Sequence, residues 1–531
     1  MTTPPPPTAA DPPAGPGPTT VPTPVTPVDA PAADVGERLA GPRVGVDQAL
    51  RRRLGDVCAE VTEDDEVRTE AGRDWWPLAI RWATRGTVPA RPALVARPTD
   101  TGQVAAVLAA CHDARVPVTA MAGRSGVCGA SVPAFGGVAL DMCALGGIVD
   151  TDTTSLVAEV RPGTFGPDLE AGLRADGVTL GHWPQSMDLS TVGGWLACRG
   201  AGQYSTRYGK IEDMVVGLEV ALADGRVIRT GGTGPRAATG PDLTQLFVGS
   251  EGVLGVITDA TLRLHVVPSA EGRRAYGFAS FAEGLEVCRL ILRRGATPAV
   301  LRLYDHAESA RNFDVPDHCV LIVLDEADPG LLDTTLAVVD AECAVTGTPL
   351  DEGLVERWMG HRNDVSALAP LYRAGIVVDT IEIAARWTAL APIFAASVAA
   401  LGAIDGTLAA SAHQSHAYGD GACLYFTFAG RMPDGVDGPG GDTPDDHGAQ
   451  DAWAERYYGD AWRAVLDVVM AHRGAISHHH GIGINRSRFM APALGSALDV
   501  LASVKEALDP RGILNPGKLG LPSPFGELGW P

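Results

Sequence analysis

The 531-residue sequence is poor in lysine and lacks paired cysteine motifs. Its 42 basic residues include only three lysines, and 64 acidic residues leave a formal net charge of −22. This negative charge argues against binding to nucleic acid or to an anionic membrane surface. The nine cysteines are scattered and form no C-x-x-C pair, which excludes the usual zinc and dithiol motifs and predicts reduced, buried thiols.

Long apolar runs and a signal sequence are also missing. No window approaches about 18 uninterrupted apolar residues, the length of a membrane span. The N-terminus lacks the basic and then apolar pattern of a signal peptide, so we expect a cytoplasmic protein. With 45% hydrophobic residues the chain can bury a large core, and its length favours two or more domains.

Proline and glycine mark the ends and one internal loop of the chain. Twelve of the forty prolines lie in residues 1–31, and we predict a disordered tail over residues 1–45. A helical segment over 46–89 ends in an aromatic, basic stretch, for which packing into the core is favoured and packing over a site is the alternative. Residues 431–450 are acidic and rich in Gly and Pro, which predicts a mobile loop, and residues 521–531 form a C-terminal tail.

Two α+β domains account for the rest of the sequence. In residues 90–269 the spacing predicts a helix over 101–114 between short β-branched strands, and Asp224-Gly225 predicts a hairpin. Residues 270–520 combine an amphipathic helix over 281–294 with further strands. We therefore predict an α+β protein of two domains.

The first of these domains contains three glycine-rich segments, Ala122–Ala130, Gln185–Gly194 and Gly249–Ile257. Glycines let backbone N–H groups close around an anion, as in loops that bind a pyrophosphate. One such segment is equally typical of a tight turn, but three indicate one long, phosphate-bearing cofactor. The G-x-G-x-x-A match at 232–237 is treated as chance, because Gly240 and Pro241 interrupt the helix that should follow.

The order of these segments resembles the FAD-binding domain of the vanillyl-alcohol-oxidase (PCMH-type) flavoproteins, over residues 90–268. The resemblance implies a PCMH-type FAD domain followed by an α+β cap domain, with FAD bound noncovalently. Arg124 stands where that family usually has Gly, so its side chain must point away from the phosphate or pair with it. The FAD contacts that the resemblance implies are Gly123, Arg124, Ser125, Gly126, Gln185, Ser186, Ser190, Thr191, Cys198, Arg199, Gly200, Ala201, Glu251, Gly252, Gly255, Val256 and Ile257.

The second half contains the histidine triplet His478-His479-His480, which alone is also typical of a nonspecific metal binder or a solvated run. Together with the segments 301–305 and 421–428, it resembles the alkyldihydroxyacetonephosphate synthases over most of residues 90–515. Those enzymes use FAD without net redox and exchange the acyl group of acyl-dihydroxyacetone phosphate for a fatty alcohol. The resemblance implies the same reaction in ether-lipid synthesis.

This chemistry assigns roles to several side chains. A phenol near imidazoles can shuttle a proton, so Tyr425 is the acid–base candidate, with the triplet's His479 and His480 tuning or relaying it. Arg302 is suited to hold a phosphate or polarise a carbonyl. His182 lies before the second glycine-rich segment and either faces the flavin or is structural. The alternatives are a packed strand residue for Tyr425 and a surface or interdomain ion pair for Arg302.

Two departures favour a second interpretation. The segment 182–186 lacks the carboxylates of the animal synthases, and residues 509–518 resemble the glycolate and D-lactate dehydrogenase branch. In that branch two His and a Glu bind a metal. Here Tyr425 stands near the second His and His479 stands for the Glu, so we predict no metal, with His413 and His416 as weaker candidate ligands.

The alternative function is an FAD-linked oxidase or dehydrogenase of a 2-hydroxy acid or alcohol, and a third is a noncatalytic flavin-binding protein. In either enzymatic interpretation the partner is a lipid-like or hydroxy-acid small molecule and not nucleic acid. Peripheral membrane contact and homodimer formation are left open.

Overall fold

The computed structural model describes residues 27–232, 234–364, 368–433 and 447–530. The predictions of a disordered tail over residues 1–26 and of a mobile loop over residues 434–446 lie outside these ranges. Residues 447–450, which we predicted as the end of that loop, instead form the first turn of a long helix.

Residues 27–45 are structured, which corrects the prediction that the tail extends to residue 45. Gly36–Glu37 pairs in parallel with Thr87–Val88, and Val35 and Leu39 are each 3% exposed. The proline-rich composition ends at Pro31, and the residues beyond it supply apolar side chains that can be buried. The elements of residues 27–89 are a short 3₁₀ helix (Ala32–Asp34), β1 (Gly36–Glu37), α1 (Gln48–Val57), β2 (Glu60–Thr62), α2 (Asp65–Glu70), α3 (Pro77–Ala83) and β3 (Thr87–Val88).

The first domain contains two larger sheets in its described residues, besides a two-stranded pairing of Val178–Thr179 with His265–Val266. One is four-stranded, in the order β2-β4-β6-β5, with β4, β6 and β5 parallel, and the other is antiparallel, in the order β11-β10-β12-β8-β7. The elements are β4 (Leu94–Arg97), α4 (Thr101–Ala114), β5 (Val118–Met121), β6 (Val138–Asp141), β7 (Ile148–Asp152), β8 (Val157–Val160), α5 (Gly166–Ala175), β9 (Val178–Thr179), α6 (Val192–Cys198), α7 (Ser205–Tyr208), α8 (Ile211–Met214), β10 (Val215–Ala221), β11 (Val227–Arg229), α9 (Leu243–Phe247), β12 (Val256–Arg263) and β13 (His265–Val266), with 3₁₀ turns at Met142–Ala144 and Met187–Leu189.

Local sequence explains the helix α4 directly. The Asp100 carboxylate accepts a hydrogen bond from the Gln103 backbone N–H at 2.8 Å and caps the N-terminus, and Arg115 ends the helix in a left-handed conformation. Its buried residues recur at helical spacing and include Val104, Leu108 and Cys111. The predicted bounds of this helix are confirmed, as is the hairpin between β10 and β11.

The cap domain is built on a seven-stranded antiparallel sheet in its described residues, in the order β17-β14-β16-β15-β19-β20-β18. Its elements are β14 (Ala270–Phe278), α10 (Phe281–Arg293), β15 (Val300–Tyr304), α11 (His306–Phe313), β16 (Cys319–Ala327), α12 (Pro329–Cys343), β17 (Thr348–Pro349), α13 (Gly353–His361), α14 (Leu368–Arg373), β18 (Val377–Arg386), α15 (Trp387–Gly402), β19 (Thr407–Ala417), β20 (Gly421–Gly430), α16 (His447–Ala471), a 3₁₀ turn (Ser487–Phe489), α17 (Met490–Leu494) and α18 (Ala497–Leu508).

Strand register brings polar residues of the cap domain together. Tyr425 on β20 lies directly opposite Glu382 on β18 and His413 on β19. Along β20 the apolar residues Leu424 and Phe426 are fully buried, whereas Tyr425 between them is partly exposed. The alternation of a strand therefore points Tyr425 away from the core, toward one face of the sheet.

The helices in the described ranges include none with the length and apolar character needed to cross a bilayer. All nine cysteines are unpaired thiols and seven of them are buried, while Cys143 and Cys198 are partly exposed. The prediction of reduced thiols is confirmed.

Candidate active site

A cavity lies between the glycine-rich segments of the first domain and the β19–β20 face of the cap domain. All three predicted segments contribute residues to it. The residues predicted to contact FAD that line it are Gly123, Arg124, Ser125, Gly126, Gln185, Ser186, Thr191, Cys198, Gly200, Ala201, Glu251, Gly252, Gly255, Val256 and Ile257.

The loop after β5 fits a phosphate-bearing cofactor. A Cβ atom at Gly123 would lie 2.1 Å from the carbonyl oxygen of Leu189, so only glycine permits this approach of the two loops. In the described part of the chain, the backbone N–H groups of residues 123–126 donate to no protein acceptor. The Ser131 hydroxyl, also on the cavity, is buried and lacks a partner among the described residues. Donors left free in this way suit an anion such as a pyrophosphate.

Arg124 keeps its charge away from the loop amides. It has a positive φ of 54°, the left-handed conformation that favours glycine, and its side chain is 7% exposed. Its guanidinium donates to the backbone carbonyl of Glu70, on the side of α2. Of the two orientations that the sequence left open, the structure has the one that points away.

Two predicted FAD contacts do not line the cavity. The Ser190 hydroxyl donates to the Ser186 carbonyl at 2.8 Å and accepts from the Trp195 indole at 2.6 Å, so it fixes the loop internally. The Arg199 side chain is 44% exposed and donates to Gln245 at 2.8 Å, on the outer surface. Both corrections follow from side-chain direction, which motif spacing does not specify.

His182 is not part of the cavity either, which corrects its assignment as a catalytic candidate. It is completely buried against Trp195, with ring centroids 4.7 Å apart, and within the described residues neither ring nitrogen has a hydrogen-bond partner. Burial, with a smaller contribution from Lys210, lowers the pKa of His182 to about 3. Burial outside the cavity favours the structural alternative for this residue.

The cap wall of the cavity consists of chemically active side chains. Arg302, Tyr425, His479 and His480 all line it, as the sequence predicted, and His416 joins them. The Tyr425 hydroxyl lies 3.3 Å from His480 Nε2. Burial raises the pKa of Tyr425 and lowers that of His480 to about 4, so at neutral pH this pair is a phenol beside a neutral imidazole.

Arg302 is oriented by a buried histidine. One terminal nitrogen of the Arg302 guanidinium lies 2.6 Å from His413 Nε2. Because a guanidinium only donates hydrogen bonds, His413 Nε2 is the acceptor. His413 is thus neutral and donates from Nδ1 to Glu308 at 2.7 Å. Burial and the Arg302 charge lower the pKa of His413, which agrees with this state. In the described part of the chain Arg302 forms no ion pair, so its charge is available to an anionic ligand.

Two buried carboxylates hold the segment His478–Gly483, named here the histidine loop. Glu382 accepts hydrogen bonds from the backbone N–H groups of all three histidines and from the Arg486 guanidinium at 2.6 Å. Although burial opposes it, Arg486 and then His480 lower the pKa of Glu382, so it is an anion. Glu251, from the first domain, accepts from the N–H groups of Ile482 at 2.5 Å and Gly483 at 2.9 Å.

His478, which was predicted to face the flavin with the other two histidines of the triplet, does not line the cavity. Its Nε2 lies 3.0 Å from the Tyr418 hydroxyl and its Nδ1 lies 2.9 Å from His479 Nδ1. It therefore reaches the cavity only through its neighbour in the histidine loop.

Glu382, Cys423, His478 and His479 each offer a donor atom to a common point, with the four atoms within 4.8 Å of one another. However, the Glu382 oxygens already accept from Arg486 and from three backbone amides. His413 is likewise occupied at both nitrogens by Arg302 and Glu308. The expectation of no metal remains a prediction.

Sequence reasoning missed the residues that support the catalytic candidates. Glu382 carried a signal that the sequence shows, since it is an acid flanked by Ile381 and Ile383 in a strand rich in apolar residues. Glu308 and Ser205 lie in ordinary polar helices and carried none. Lining residues that were not predicted include Met142, Gln203 and Ser415.

Comparison with known proteins agrees with this geometry. Residues 92–231 match the model of the FAD binding domain, and residues 268–519 match that of the C-terminal domain of FAD linked oxidases. The chain is 30% identical over 447 residues to YgcU of Escherichia coli (strain K12), an uncharacterised FAD-linked oxidoreductase, covering 81% of this chain and 89% of YgcU.

Similarity to a synthase is present in sequence and in fold. The alkyldihydroxyacetonephosphate synthase of Dictyostelium discoideum is 28% identical over 473 residues, covering 82% of this chain and 74% of that protein. A solved alkyldihydroxyacetonephosphate synthase superposes with a TM-score of 0.74 at 23% identity, covering 94% of this chain and 90% of the other. FAD is the cofactor, and the chain belongs to the FAD-linked oxidase family as an enzyme of the two-domain PCMH-type fold.

Proposed function

We propose that this protein is a transferase that exchanges the acyl group of acyl-dihydroxyacetone phosphate for a fatty alcohol, as in ether-lipid synthesis. The observation that carries the proposal is the cap wall, where Tyr425, His480 and Arg302 face the same cavity as the glycine-rich segments. The synthases among its relatives support the same assignment.

The exchange replaces an oxygen substituent next to a ketone, which requires that a proton leave the adjacent carbon and later return. Tyr425 is the group that exchanges this proton with the substrate. Its raised pKa keeps it protonated, and His480 Nε2, 3.3 Å away, can accept its proton as the phenol takes one from the carbon.

Arg302 is suited to bind the phosphate of the substrate. A guanidinium without an acidic partner in the described residues, fixed by His413, is a directed cation that a phosphate can satisfy with two hydrogen bonds. Glu308 and His413 keep that cation in place, because both nitrogens of the imidazole are engaged.

FAD, when bound, supplies an electrophilic ring system next to these side chains. Gly123 and the free amides of residues 123–126 would hold its pyrophosphate, and Thr191 and the segments around Cys198 and Gly252 would line the rest.

The second candidate is an FAD-linked oxidase or dehydrogenase of a 2-hydroxy acid or alcohol. Arg302 favours it as well, since a substrate carboxylate pairs with a guanidinium as readily as a phosphate does. An oxidase needs an electron acceptor to complete its cycle, whereas the transferase needs only the alcohol.

That difference gives the test. Purified protein is kept anaerobic, its flavin absorbance is followed, and acyl-dihydroxyacetone phosphate, fatty alcohol and an electron acceptor are added in turn. Under the proposal the acyl substrate bleaches the flavin, the alcohol alone restores it, and an ether product forms. Bleaching only by hydroxy acids, with recovery only on adding the acceptor, would establish the second candidate instead.

A further inference from the structure

A chain of hydrogen bonds runs behind the cap wall and returns to it. His479 Nδ1 lies 2.9 Å from His478 Nδ1, and His478 Nε2 lies 3.0 Å from the Tyr418 hydroxyl. The Ser205 hydroxyl lies 3.2 Å from that of Tyr418 and 2.7 Å from His416 Nδ1. Both terminal residues, His479 and His416, line the cavity, while the three members between them do not.

Every member of this chain can both donate and accept. A neutral imidazole donates from one nitrogen and accepts at the other, and a hydroxyl does both. If His416 donates to Ser205, the bonds continue in the same sense through Tyr418 and His478, and His479 presents an Nε2–H group. If the sense is reversed, it is His416 that presents an Nε2–H group. The chain therefore has two complete, opposite arrangements with no unpaired member.

We propose that His416, Ser205, Tyr418, His478 and His479 form a proton relay with both ends in the active-site cavity. A proton accepted at the free nitrogen of one terminal imidazole is matched by a proton released from the other. The buried chain gains no charge, because each member passes on one proton as it receives one. Burial also lowers the pKa of His416, His478 and His479, which keeps the three rings neutral between transfers.

The relay rests on the proposed transferase function, which needs two such transfers. In the first half-reaction the proton that Tyr425 and His480 take from the substrate carbon enters the relay at one end, and the departing acyl oxygen gains a proton from the other end as its bond to carbon breaks. In the second the alcohol gives its proton to the end where the acyl oxygen left, and the other end returns a proton to the carbon by way of His480 and Tyr425 as the ether bond forms. The second transfer runs in the opposite sense and resets the relay, with no net change in protons or electrons.

Tyr418 is the link through which this path can exchange with solvent. Unlike Ser205 and His478, it is partly exposed, and it lies just before the exposed turn at 419–420. Its hydroxyl is also the midpoint of the chain, so its removal separates the two ends.

The test uses Tyr418→Phe, Ser205→Ala and the double variant of the full-length FAD-loaded protein, assayed for ether product. Because the links act in series, each single variant should lower kcat at least about tenfold with KM unchanged. The double variant should be no slower than the slower single. Tyr457→Phe is the matched control, since it removes a partly buried hydroxyl of the same domain, outside the cavity, that hydrogen-bonds to Thr407 at 3.0 Å.

Wild-type kcat in both single variants would overturn the relay, and so would losses that multiply in the double variant, because independent structural roles add in free energy. Ser205→Ala decides the matter if Tyr418→Phe fails to fold. A second readout needs no turnover: in ¹⁵N-histidine spectra, Tyr418→Phe should shift the ring signals of His478 and His416, and unchanged signals would contradict the relay. A wild type that makes no ether product would refute the transferase, leaving these spectra to decide on the relay.

Discussion

The first-domain wall of the cavity is formed largely by backbone, whereas the cap wall is formed by side chains. Gly123 and its neighbours contribute amides and close approaches between loops, while Arg302, Tyr425 and His480 contribute charge and exchangeable protons. A wall formed by backbone suits the binding of a cofactor, which is the same molecule in every reaction cycle. A wall formed by side chains suits catalysis, because side chains provide the charges and exchangeable protons that a given reaction needs. The contrast predicts that substitutions on the two walls fail in different ways.

The largest effect is expected on the backbone wall, from Gly123→Val. The added Cβ would lie 2.1 Å from the Leu189 carbonyl oxygen, so the two loops must separate and the anion-binding loop loses its shape. We expect the purified variant to retain no flavin, measured by visible absorbance and by titration with FAD. The control is Gly55→Ala, on an exposed helix face with open space around it. Normal flavin content in Gly123→Val would contradict the backbone assignment.

The next effect is expected on the cap wall, from Tyr425→Phe. Loss of the phenol should lower kcat by about 10²- to 10⁴-fold, the usual contribution of a general acid or base, while FAD binding is unchanged. Product formation and flavin content are measured on the same preparation, with Tyr457→Phe as control. If Tyr425→Phe keeps its activity, Tyr425 is not the acid–base group. If the variant loses flavin together with activity, the cap wall also supports cofactor binding and the contrast between the two walls is wrong.

Glu382→Gln changes a residue that holds the histidine loop in place but does not itself line the cavity. The neutral glutamine side chain leaves Arg486 as a buried cation without its anion. The NH₂ group of that glutamine would also face backbone N–H donors of the histidine loop, which need an acceptor. Removing one partner of a buried ion pair costs about 3 kcal/mol or more. Urea unfolding should show this loss, with Glu286→Gln, an exposed pair with Arg289, nearly neutral. Equal stability of the two variants would show that the buried pair does not hold the loop.

The smallest effect concerns His182, a buried titratable residue of the first domain that lies outside the cavity lining. The pKa of His182 is about 3 in the folded protein against an ordinary value of 6.5, so below pH 6.5 the unfolded chain binds a proton that the folded chain does not. Stability from this group is therefore lost as the pH falls, by about 2 kcal/mol at pH 5. His182→Leu should lose less stability than wild type between pH 7.5 and 5, with activity retained.

Urea midpoints at the two pH values check this prediction, with the exposed His472→Leu as control. If His182→Leu and wild type lose the same stability between pH 7.5 and 5, that loss is caused by the titration of other groups. A large loss of kcat would instead return His182 to the active site.

The sequence was more informative for one wall than for the other. Glycine-rich segments are local, so their order predicted the cofactor and most of the residues that form this wall, and the capped helix α4 was predicted to the residue. The cap wall depends on strand register between residues far apart in the chain, such as Glu382 opposite Tyr425. Which way Ser190, Arg199 and His182 point is decided by packing, and no spacing rule contains that information.

The two carboxylates that hold the histidine loop act on its backbone amides, a feature that any residue except proline provides. Glu382 and Glu251 therefore determine where the loop lies and not which side chains it displays. In evolutionary terms, the position of the histidine loop at this face of the cavity does not depend on which side chains the loop carries. Substitutions at 478–480 can change the chemistry presented to the cofactor without rebuilding the fold, which suits a fold shared by oxidoreductases and a transferase.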